Sequence, residues 1–148
     1  MSRAILYATD FSPASRAAFT KAVDMARRDR APLLIAHVMT APMPMMAGDG
    51  YVPPGTWDAL ATGYRKVSQK KLDAVVRRAK RAGARARGLL VEGRPAGDVI
   101  VRTARRRRAG AIVLGTHGRS GVARLFLGSV AGRVVAGATC PVLTVRGR

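Results

Sequence analysis

Residues 111–129 read AIVLGTHGRSGVARLFLGS, and this stretch carries the fold. Ala111 to Leu114 is a short apolar run with no polar interruption, the pattern of a strand buried on both faces. Gly115 ends the run, and a loop with glycines at 115, 118 and 121 follows. From Leu127 to Ala136 small and apolar residues return in a helical segment. Strand, glycine-rich turn and helix make one unit of a parallel α/β sheet.

The same unit recurs outward from this point. Downstream, Cys140-Pro141 leads into a last apolar run, Val142 to Val145. Upstream, Pro95 opens a helix with Val99, Ile100, Thr103 and Ala104 at one-sided spacing, preceded by a strand from Arg87 to Glu92 and a turn at Gly93. At the N-terminus, Ala4 to Thr9 reads as a buried strand. Ser12 and Pro13 then supply a helix cap and a first helical position, with Phe19, Ala22, Val23 and Ala26 along the inner stripe. Leu33 to Val38 is the second strand. Met39 to Thr56 holds four prolines and three glycines, too many for helix or ladder, and reads as a long loop. A second helix follows from Trp57 to Ala82, with Leu60, Tyr64, Val67, Val75 and Ala79 expected inside and Gly83 closing it.

Strict alternation of five strands and four helices predicts a flavodoxin-like, doubly wound parallel sheet in the order 3-2-1-4-5, filling residues 1–148 as one domain. The first two helices then cover one face and the last two the other. No apolar run approaches the ~18 residues that cross a bilayer, so membrane insertion is not expected. The start of the chain lacks the pattern of a secretory signal, and a lone cysteine, Cys140, excludes an internal disulfide framework. Both features lead to an expectation of a cytoplasmic protein. Cys140 itself reads as a small buried residue.

The charge is the unusual bulk property: 27 Lys and Arg against 8 Asp and Glu, formally +19. Such a field favours anionic partners, nucleic acid among them, although charge alone speaks to association and not to fold. The basic runs fall on the second helix and on Arg105 to Arg108, assigned to opposite faces, and exposed aromatics for base stacking are scarce. A single nucleic-acid groove is therefore not the favoured reading.

In open parallel sheets, ligands sit beyond the carboxyl ends of the strands where the winding reverses. That rule nominates Thr9 and Asp10 after the first strand, with Ala8 just before them. After the fourth strand it nominates Gly115, Thr116, Gly118 and Arg119, then Gly128 and Ser129 at the start of the last helix. Glycine lets a backbone turn sharply and approach a ligand closely. A helix N-terminus offers unpaired N–H groups and a dipole that favour phosphate. The spacing is neither a Walker A loop nor a dinucleotide fingerprint. Asp10 also suits an N-cap, and His117 suits either a phosphate contact or an ordinary loop position.

Gly115, Gly118, Gly128 and Ser129 complete the pattern G-x2-G-x9-G-[S/T]. In this α/β setting the chain resembles the universal stress proteins, in particular their ATP-binding subclass, over essentially its whole length. The resemblance implies that Asp10 hydrogen-bonds the nucleoside and that the Val38 main chain meets adenine. It implies that Gly115 and Gly118 pass beside ribose and phosphates, and that Gly128, Ser129 and Val130 hold phosphate. It further implies a homodimer through the C-terminal strand and a regulatory role in stress. Arg119 and Arg124 bracket the cradle and suit triphosphate, while Met39, Met43, Met45 and Met46 suit an apolar lip over the adenine. One candidate general base, Asp10, is thin equipment for hydrolysis, so a binding protein is expected. The competing reading is an ATPase or phosphotransfer enzyme using Asp10, His117 and Mg²⁺. The chain departs from the family pattern at Ala131-Gly132, where a polar pair is more usual, and in its strong positive charge.

Overall fold

The computed structural model describes residues 2–40, 53–116 and 127–147. Its elements run β1 (Ile5–Ala8), α1 (Pro13–Arg28), β2 (Leu33–Met39), α2 (Pro54–Arg81), β3 (Ala86–Glu92), α3 (Ala96–Arg106), β4 (Ala111–Gly115), α4 (Ser129–Gly137) and β5 (Val142–Val145). The strands form one five-stranded sheet in the order β3-β2-β1-β4-β5, every neighbouring pair parallel. The predicted class and strand order both hold.

Alternation along each strand divides the core in two. Ile5 and Tyr7 of β1, Leu33 and Ile35 of β2 and Val113 of β4 face α1 and α2. Leu6 and Ala8, Ala36, Ile112 and Leu114 face α3 and α4. Both sets are buried because helices cover both faces, which is why the strands read as unbroken apolar runs. Ser12 caps α1 through its side chain, with Pro13 in the first turn. Gly83 follows α2 at φ +87°, the left-handed conformation that ends a helix.

Several boundaries differ from expectation by one to three residues, β1 (Ile5–Ala8) being shorter at both ends than Ala4 to Thr9. Strand β2 continues through Met39, which pairs with Glu92 in the long β2–β3 register and is 1% exposed. Helix α2 starts at Pro54, ahead of Trp57, and α4 starts at Ser129 because Gly128 is extended (φ −58°, ψ 157°). The inner stripe of α2 also differs. Leu60 and Val67 are exposed, while Ser68, Leu72 and Ala79 are buried. A 28-residue helix is about 42 Å long, whereas the 7-residue strands beneath it span about 23 Å. Only the C-terminal half of α2 has sheet beneath it, and the apolar residues of the first half extend past its edge.

Candidate functional site

Strands β1 and β4 are central neighbours, and their following helices leave to opposite faces. A crevice opens between them at the carboxyl ends, as such winding requires. The β1–α1 turn that forms one wall is built from short side-chain hydrogen bonds. The Phe11 N–H donates to Thr9 Oγ1 (3.0 Å) and the Ser12 N–H to Asp10 Oδ1 (2.9 Å). Ser15 Oγ donates to the Ser12 carbonyl at 2.7 Å, so the 3.1 Å contact between Thr9 Oγ1 and Ser15 Oγ is donated by Thr9. Tyr7 Oη adds a bond to the Ser15 carbonyl (2.7 Å).

This turn holds Phe11 at φ +64°, a conformation uncommon outside glycine. The Phe11 ring lies 4.2 Å from the ring of His37, and Lys71 Nζ sits 5.9 Å from the Phe11 centroid. Packing on the ring compensates the strained backbone. Asp10 is not the helix cap, since Ser12 has that role; its carboxylate closes the turn at the lip of the crevice.

The opposite wall is the start of α4. The Gly128 N–H donates to the Thr116 carbonyl (2.7 Å), and the Thr116 N–H to Val145 in β5 (3.0 Å). Together these bonds anchor the helix start to the sheet. The first intrahelical bond is made by the Gly132 N–H to the Gly128 carbonyl (2.8 Å). Ser129, Val130 and Ala131 therefore present N–H groups with no acceptor inside the helix. Among the described residues, no side chain caps that end.

Between the walls lies a cleft of about 370 Å³, within the range of small-molecule sites. It is lined by Ala8, Thr9, Asp10, Val38, Gly115, Thr116, Gly128, Ser129 and Val130. Nine residues nominated from the sequence thus meet in one place; Gly118 and Arg119, with His117, Arg124, Met43, Met45 and Met46, lie outside the described residues. Ser15, Ala36, Ala96, Ile100, Leu114 and Ala131 complete the lining and escaped the sequence reading. Ala36 was within reach of it, because it is two positions before Val38 and shares its strand face. Met39 is buried in the sheet and forms no lip. Cys140 is only half-buried, although burial still raises its thiol pKa.

Gly115 needs a different explanation from the one its position in the loop invites. A Cβ there would lie 3.2 Å from the Ala14 carbonyl oxygen, so its missing side chain admits the first turn of α1. Among the described residues, Asp10 is the one ionisable side chain lining the cleft. An apolar floor, one carboxylate and an open helix N-terminus can seat a flat ring at one end and an anion at the other.

Residues 1–146 match the universal stress protein family. The chain belongs to that family. A universal stress protein of Thermus aquaticus is 35% identical over 146 residues, covering 99% of this chain and 100% of its own length. Among solved structures, the hypothetical protein MJ0577 superposes with a TM-score of 0.84 at 22% identity, covering 100% of this chain and 98% of that one, a likeness of fold. A universal stress protein solved in complex with cAMP has a TM-score of 0.69 at 27% identity, covering 99% of this chain and 98% of its own.

Proposed function

We propose that the cleft binds an adenine nucleotide, ATP foremost, and that occupancy regulates the contacts this universal stress protein makes in a stress response. The observation that carries the reading is the N-terminus of α4, without a side-chain cap among the described residues, opening onto an apolar floor. Three outward N–H groups and the positive end of the helix dipole suit phosphate oxygens, and the Ser129 hydroxyl adds a donor. Ala36, Val38 and Ile100 offer a surface for the base, and Asp10 an acceptor for ribose hydroxyls. The cAMP complex of a relative supports a nucleotide in this family.

The same lining supports a reading of binding without rapid turnover. A lone carboxylate, already accepting the Ser12 N–H, must serve as both metal ligand and base if Mg²⁺-ATP is to be hydrolysed. Dimerisation through β5 belongs to the same proposal, because β5 is a sheet edge with Leu143 38% exposed. Light scattering that finds only monomer at micromolar concentration would remove that part. The cytoplasm, where ATP is plentiful, is the compartment this reading requires.

Titration calorimetry with ATP, ADP and AMP tests the core of it, with Gly128→Val as the control. Gly128 has a φ that valine tolerates, so the substitution acts by filling the space phosphate would use. Saturable binding that Gly128→Val abolishes is expected. Unchanged affinity in the variant would discard the site.

A further inference from the structure

The helices of the two faces share one end of the molecule. Because all strands are parallel, α1, α2 and α3 all finish at the amino ends of the strands, opposite the cleft. Each finishes in the same way. The N–H of Ala31 reaches the Ala26 carbonyl, that of Ala84 reaches Ala79, and that of Ala109 reaches Ala104, at 2.9, 3.0 and 2.9 Å. These are Schellman turns, each sinking an alanine into the core and leaving the intervening residues in solvent.

Nine of those twelve intervening residues are cationic. The α1 end exposes Arg27, Arg28 and Arg30, and the α2 end exposes Lys80, Arg81 and then Arg85. The α3 end exposes Arg105 to Arg108, and Arg3 precedes β1. They lie on one surface. The Arg85 guanidinium bonds the Arg30 carbonyl, the Arg27 side chain packs at Gly83, and Arg3 packs at Gly110. The two basic runs that the sequence assigns to opposite faces therefore converge at their ends.

Charge compensation of helix ends does not account for this. Four helix C-termini, that of α4 included, present roughly −0.5 charge each, about −2 in all, and Arg105 bonds the Gly137 carbonyl at the end of α4 (3.2 Å). Eleven cations face them, and Asp29, paired with Arg28 at 3.1 Å, is the carboxylate among the turn residues. The excess is far beyond what the dipoles need.

We infer that this pole is a docking surface for the phosphate backbone of duplex DNA, read without sequence preference. Arginine provides all but one of these cations, and its planar fork fits phosphate oxygens. Sheet and flanking helix layers set the α2 and α3 ends about 20 Å apart, enough to reach phosphates on both sides of a groove about 12 Å wide. The exposed Leu60 and Val67 lie in the first half of α2, away from this end, and give the pole no membrane-inserting surface. It carries no aromatic platform for single strands. Its groups are donors, with carbonyls of each last turn already taken by the Schellman bonds, which disfavours a surface built to accept from 2′-hydroxyls.

Fluorescence anisotropy with a labelled random-sequence DNA duplex tests the inference between about 50 and 200 mM KCl. Engagement of about seven phosphates predicts an affinity loss of three to four orders of magnitude across that range. R28Q/R81Q/R106Q/R107Q is expected to flatten the log–log salt slope by about 3 to 4. R16Q/K21Q/K66Q/K70Q removes equal charge elsewhere and is expected to change the slope by less than about 1. Thermal melts establish that both variants are folded. Equal losses in the two variants would overturn the assignment, as diffuse attraction to net charge predicts that result. Tighter binding to an RNA duplex of the same length, or to phosphatidylserine vesicles, would overturn it as well. None of these outcomes depends on whether the cleft binds nucleotide.

Discussion

The Nδ1 of His37 donates to the carbonyl oxygen of Thr9 at 2.8 Å, tying the end of β2 to the end of β1. The carbonyl can only accept, so Nδ1 carries the proton in this contact. His37 is buried, and its ring supports Phe11 in the strained turn. One side chain thus orients the wall that carries Thr9 and Asp10.

Replacing it should have two readouts. His37→Leu is expected to cost about 1–3 kcal/mol in urea denaturation, since the Thr9 carbonyl loses its donor. It should also weaken ATP several-fold in calorimetry, although His37 does not line the cleft. Unaltered stability and affinity would show that the turn is held without it.

The helix ends offer a stabilising change. Gly83 takes the left-handed position after α2, but Arg30 and Arg108 occupy the matching positions after α1 and α3, each at φ +51°. Glycine avoids the Cβ cost there, and the gain exceeds its greater unfolded-state entropy. Arg30→Gly and Arg108→Gly are each expected to add about 0.5–1 kcal/mol, read as a raised denaturation midpoint at constant m-value.

Helices α3 and α4 approach closely where α3 carries Gly97. A Cβ there would lie 2.8 Å from Arg133 Cβ, which is near the backbone and cannot swing aside. Gly97→Ala is expected to destabilise by about 1–3 kcal/mol. Because the two helices supply Ala96, Ile100 and Ser129 to Ala131 of the lining, nucleotide affinity should fall with it.

Alkaline pH should weaken the fold through Tyr7. Burial raises its pKa above the ordinary 10.0, against the lowering effect of its bonds with Thr9 and Ser15. The unfolded chain therefore releases this proton first, so the contribution is intact below about pH 10 and is lost as pH climbs through the folded value. Denaturation midpoints should drop above about pH 10 in the native chain. In Tyr7→Phe the drop should shrink, while stability at neutral pH falls by about 1 kcal/mol for the lost bond to Ser15.

The strands were legible because burial on both faces leaves an apolar signature that needs no partner to recognise it, as in Ala111 to Leu114 and Leu33 to Val38. The inner face of α2 was not, because Leu60 and Val67 satisfy helical spacing whether or not a sheet lies beneath them. The repeated ends Ala26 to Ala31, Ala79 to Ala84 and Ala104 to Ala109 could have been found by self-comparison. Arginine in the place usually held by glycine concealed two of the three.

Local sequence was sufficient for the order of elements, the reversal point of the winding and part of the cleft's lining, since each follows from short-range periodicity and turn chemistry. Contacts between residues distant in the chain decided the rest. Only the folded sheet brings Thr9 under His37, turns the bare side of Gly115 toward Ala14, and gathers three separated basic segments at one pole. Parallel strands force every covering helix to end on the same side, a consequence of geometry that no single segment contains.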